Sequence, residues 1–125
     1  MAKNFKQVGD VLDYTNGTGS AIASGSVVIL GAADATVGIA LVDIADGESG
    51  AVQIDNGVFE VPKVSAAVFK QGESLIWDKS AGKFDDNQAT PATGDVSGGV
   101  IAAADGAASE TTCLIRLTGR AGTLA

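Results

Sequence analysis

Fifteen carboxylates, one thiol and no imidazole are what this chain offers for chemistry. Without histidine, the commonest general base, the commonest metal ligand and every histidine-containing triad are missing. Cys113 is the only cysteine. One thiol makes neither an intrachain disulfide nor a thiolate zinc site, and Cys113 alternates with core-type residues, so it reads as a buried structural thiol. Asp43, Asp46, Glu48, Asp55 and Glu60 follow one another with no Lys or Arg between them. Calcium could use such oxygens, but the ligand spacing of an EF-hand loop is absent. Solvated acidic turns are expected here and at Asp85-Asp86-Asn87. Two acids brought together by folding could still act as a catalytic pair, although no spacing singles one out. Phosphate cradles fail as well. No Gly-x-x-x-x-Gly-Lys-Ser/Thr occurs, and the dinucleotide-like start at Gly17-Thr18-Gly19 meets Ile22 where a third glycine belongs. Asn16-Gly17-Thr18 matches a glycosylation sequon, but its plain reading is an Asn-Gly turn. The expectation is no enzyme, no cofactor and no metal.

The elements around these residues are short. Glycines separate β-branched runs and only two prolines occur, the pattern of many strands joined by tight turns. Strands are expected at 11–15, 26–30, 36–44, 74–78, 99–104 and 111–117. The run 36–44 carries apolar residues in both parities and reads as buried on both faces. In 51–61, Val52 and Ile54 share one parity while Phe59 and Val61 share the other. A hairpin turn or a glycine bulge near Asp55-Asn56-Gly57 must therefore shift the phase. Ser65 to Lys70 reads as one short helix with Ser65 as N-cap and Gly72 past its end. Residues 85–98 read as a long loop. The fold class expected is all-β, a small barrel or sandwich with one short helix. A single β domain would span 11–118, with an extended arm at 1–10 and a flexible tail at 119–125.

With 125 residues the chain holds one domain, and 46% hydrophobic residues can build a core. That fraction leans on alanine, and aromatics are only 5%. Buried alanine removes little area from water, at roughly 25 cal/mol per Å². The core should be thin, and a thin core is often completed by oligomerisation. Phe59 and Trp77 are the large apolar side chains within strands; each is either core or an anchor at a subunit interface. The net charge is −7. Its eight basic residues do not cluster, which argues against direct nucleic-acid binding. No apolar run is long enough for a membrane span and the start lacks a signal-peptide stretch, so synthesis in the cytoplasm is expected. Residues 1–8 carry Lys3 and Lys6 without an acid, leaving −9 on the remainder (−7 − 2). A basic arm on an acidic body suits docking onto a neighbouring sheet edge.

The chain also looks duplicated. Ser24-Gly25, Val27 to Leu30, Gly38-Ile39-Ala40, Asp46-Gly47 and the strand from Ala51 are echoed later. The echo runs Gln71-Gly72, Leu75 to Trp77, Gly99-Val100-Ile101-Ala102, Asp105-Gly106 and the strand from Thr111. The matching glycines are 13 apart in one half (38 − 25) and 27 in the other (99 − 72), which places an insertion in the 85–98 loop.

Several blocks also carry a resemblance. They are Ala2-Lys3-Asn4-Phe5-x-Gln7-x-Gly9-Asp10, Val37-Gly38-Ile39-Ala40 and Gly57-Val58-Phe59-Glu60-Val61-Pro62-Lys63. Gly72-x-x-Leu75-Ile76-Trp77-Asp78 and Leu114-Ile115-Arg116-Leu117 complete the set. Together they resemble the DUF2190 family of tailed-phage capsid cement, or head decoration, proteins over nearly the whole chain. Family members have been labelled RecA-like recombinases, but this chain lacks the phosphate loop, the basic surface and the length for that. The resemblance implies a compact β-barrel-like domain that assembles as a homotrimer on the outer surface of the virion. Its partner would be the major capsid protein. Lys3, Asn4, Phe5 and Lys6 are then the capsid-interface candidates, and Phe59 and Trp77 the trimer or core candidates. The rival expectation is a host-surface or carbohydrate-binding module displayed on the virion.

Overall fold

The computed structural model describes residues 3, 4, 7 and 9–125. Its described residues are all-β, as expected. Ten strands follow one another: β1 (Val11–Thr15), β2 (Val27–Gly31), β3 (Asp34–Ala40), β4 (Ser49–Gln53), β5 (Asp55–Pro62), β6 (Ser74–Asp78), β7 (Lys83–Asp86), β8 (Val96–Ala102), β9 (Thr112–Thr118) and β10 (Gly122–Leu124). All named pairings are antiparallel. The strands form one continuous, curled sheet.

Two copies of one motif build that sheet. In the first, β1 pairs with β4, β4 with β3, and β3 with β2. In the second, β5 pairs with β9, β9 with β8, and β8 with β6. The turns match bond for bond. Gly25 N donates to Ala40 O and Gly72 N to Ala102 O, each at 2.8 Å. Ser24 N donates to the Asp43 carboxylate and Gln71 N to the Asp105 carboxylate, also at 2.8 Å. The early part of each copy is thus offset by 47 residues (72 − 25) and the later part by 62 (102 − 40). The duplication read from Ser24-Gly25 and Gln71-Gly72 is therefore present. Asp46-Gly47, however, does not match Asp105-Gly106. Asp43 is the partner of Asp105, and Gly47 that of Ser109, both with a positive φ.

Packing confirms the offsets. The isolated bridge Ile22–Ile44 in the first copy becomes Phe69–Gly106 in the second. Two medium side chains are exchanged for one large and none, which conserves volume. A Cβ on Gly106 would overlap the Phe69 ring. Strand β3 is buried on both faces as expected of the run 36–44, but it ends at Ala40, and Leu41 and Val42 are exposed. Ala35, Val37 and Ile39 join the larger core with Leu75, Phe84 and Ile115, whereas Ala40 joins a smaller core with Val28, Ile44 and Val52.

Three expectations are corrected. Residues 65–70 form no helix. Ala67 and Phe69 are buried while Val68 is exposed, a period of two. Phe69 N and O are both bonded to Gly106. The tail expected at 119–125 contains β10, which lies between β3 and β8 and joins the two copies. Three residues give no periodic signal, so only the vacant edges they fill reveal them. The loop expected over 85–98 is shorter, because β7 reaches Asp86 and β8 begins at Val96. The phase shift near Asp55 is a bulge, not a hairpin. Asn56 has φ 55° and the β5–β9 register slips between Asp55 and Val58. β4 and β5 lie in different copies, so the chain passes from one to the other at Ile54.

Candidate functional site

Chemistry-bearing side chains do not converge. Among the described residues no three of the types His, Cys, Asp and Glu gather to hold a metal. Burial pushes the Cys113 thiol up to about 11, with the Lys63 charge opposing, so little nucleophilic thiolate exists near neutrality. Asp78 is held below its ordinary value by bonds from the Ser80 hydroxyl and the Ala81 and Ser80 amides. Asp105 is held down chiefly by the Gln71 amide. Asp105 is exposed and Asp78, at the end of β6, half-buried; Asp78 holds the amides of its own turn and Asp105 that of Gln71.

Two buried polar residues escaped the sequence reading. Asn16 and Lys63 are each 0% exposed and stand at the common offset of 47 (63 − 16). Asn16 Nδ2 donates to Ser20 O at 2.7 Å and Ile44 O at 3.0 Å, while its Oδ1 accepts from Thr18. Lys63 Nζ donates to Val64 O at 2.9 Å and to Ser65 O and Glu110 O at 3.3 Å each. All three ammonium donors are used. Both side chains tie together turn carbonyls of their own copy, several of which also accept a backbone N–H. The glycine repeat held the signal, since nine residues before Gly25 and Gly72 stand Asn16 and Lys63.

Concave surface gathers instead along the outer edge of β2. A groove of about 440 Å³ is lined by Tyr14, Ile22, Val27, Ile29, Trp77 and Leu124, with Lys79 its only charged lining residue. A second hollow continues it past Ser24 and Gly25 and shares Val27 and Trp77. Trp77 projects from β6 and is half-buried, its ring 5.0 Å from that of Phe84 and tilted by 55°. Phe59, on β5, packs against the same larger core but does not line either hollow. Lys3 and Asn4 are exposed, and Phe5 and Lys6 lie outside the described residues. The structure therefore brings Trp77 and Phe59 to one core and leaves Lys3 and Asn4 apart from it. Where the sequence expects an arm to end, Asp10 is fastened to the body. Its carbonyl accepts from Ile54 N at 2.9 Å and its carboxylate from Asn56 Nδ2 at 3.0 Å.

The described residues thus form a doubled antiparallel sheet with hollows at its edge. Residues 6–117 match the family model described as phage cement protein, and the chain belongs to that family. No curated protein matches it.

Proposed function

We propose that this protein decorates the outside of a phage head and stabilises the mature shell by multivalent protein contacts. The family match carries the proposal, because it spans both copies of the motif. The shape and charge are consistent with it. Each subunit contributes modest apolar contact, and a homotrimer multiplies that contact through effective concentration. Binding energy available only on the mature shell opposes rupture by mass action.

In this reading the major capsid protein is the partner. Residues 1–10 are a docking arm whose Lys3, Asn4, Phe5 and Lys6 meet the shell, and Asp10 fixes the arm's root on the body. Mixing the purified protein with undecorated heads, pelleting and imaging them is the direct test. Symmetric, stoichiometric density on the outer surface is expected. Protein that stays in the supernatant would sink the proposal. Deleting residues 2–8 is expected to abolish capture while leaving the melting transition of the body unchanged; undiminished capture would remove the arm from the mechanism.

A further inference from the structure

The two copies of the motif differ most at one place. In the second copy the outer edge of β6 carries β7 as an added antiparallel strand. In the first copy the equivalent edge, on β2, carries no strand among the described residues, because a tight turn leads straight from Gly31 to Asp34. The chain thus contains both a covered and an uncovered version of one edge.

The uncovered version is ready to pair. Ala40 N donates to Ser26 O, and bonded positions alternate along an antiparallel ladder. Val28 and Leu30 therefore face β3, while the N–H and C=O groups of Val27, Ile29 and Gly31 point outward. Among the described residues β1, β2, β5 and β7 each pair with one strand, and β7 is further bridged at Phe84 to Lys63 beyond β5. Charge or proline protects three of them. β1 carries Asp13, β5 carries Asp55, Glu60 and Pro62, and β7 carries Lys83, Asp85 and Asp86. β2 reads Val-Val-Ile-Leu-Gly and has neither. Proteins usually blunt such an edge, and this one adjoins an apolar groove.

We infer that the outer edge of β2 accepts an extended segment of the shell protein as an added antiparallel strand, taking the place that β7 takes on β6. The inference rests on the cement reading. The internal template also states what the segment looks like. On β6, Phe84 sits opposite Trp77 and is fully buried, with Asp85 opposite Ile76. The equivalents of Trp77 and Ile76 are Leu30 and Ile29 at the offset of 47 (77 − 30). A large apolar residue opposite Leu30 would cover Tyr14 and Ile22, and a neighbouring carboxylate would meet Lys79. A second copy's β2 is the poorer occupant. It has no carboxylate for Lys79, and pairing would join two bodies that each carry −7.

Hydrogen exchange on the free and head-bound protein tests this. In the free protein the amides of Val27, Ile29 and Gly31 should exchange quickly, and binding should slow them at least tenfold. Capture on heads with those three amides unprotected would overturn the inference and leave the cement reading standing. No capture at all would overturn both. Protection already present in the free protein, with a dimer mass in sedimentation, would assign the edge to a second copy instead. Two variants add an independent reading. Lys79→Glu should weaken capture severalfold, whereas Lys83→Glu, an equal change of charge on β7, should not; equal effects would count against the groove. Ile29→Pro removes one outward N–H without breaking a β2–β3 bond and should weaken capture at least tenfold, with unchanged Trp77 emission showing that the fold persists.

Discussion

Lys63 is the costliest side chain to disturb. Its ammonium is wholly buried and satisfied by three carbonyls. Lys63→Met keeps the apolar stem but removes three hydrogen bonds from a charged donor, and a loss on the order of 3 kcal/mol is expected in urea unfolding. Asn16→Ala should cost less, about 2 kcal/mol, because no charge is involved. Cys113 supplies a pH signature. Its thiol has an ordinary value of 9.0 and is raised to about 11 by burial. The folded state holds the proton more tightly, so this contribution to stability is complete below the ordinary value and disappears as pH rises through the folded one. Wild type should therefore lose more stability between pH 9 and 11 than Cys113→Ala does; parallel curves would show the thiol to be uninvolved.

Between elements, the two copies act as experiments on each other. Gly106 must stay small because the Phe69 ring occupies the space of a Cβ. Gly106→Ala should destabilise by about 1–3 kcal/mol through overpacking, and Phe69→Ile should recover part of it by restoring the first copy's pairing. A cycle of the two single variants and the double variant measures that coupling. The same comparison marks Ser109, whose φ of 73° matches Gly47 at 80°. A side chain is strained there and glycine is not. Ser109→Gly should raise the free energy of unfolding by up to about 1 kcal/mol, the relieved strain exceeding glycine's entropic cost, as measured in urea.

At the scale of the whole molecule, β10 is the joint. It is flanked by β3 of one copy and β8 of the other, and β3 gives one face to each core. Removing residues 121–125 should lower the melting temperature by several degrees and leave a single transition, because the cores share β3. Two separate transitions would show the copies to be independent.

The sequence by itself settled what depends on nearest neighbours along the chain. Absent histidine and a lone thiol removed histidine-based triads and thiolate zinc sites, while glycine spacing marked the turns and the repeat. Mixed parity made β3 two-sided. Parity says which face of a strand meets the core but not which strand lies beside it. Strand partners are chosen over long separations, by whichever edge is vacant. That is why β10 looked like a tail and why a two-residue alternation at Ala67 and Phe69 resembled a helical turn. Only the tertiary structure could bring the Glu110 carbonyl to Lys63, cover β6 with β7, and leave β2 with a single strand partner among the described residues.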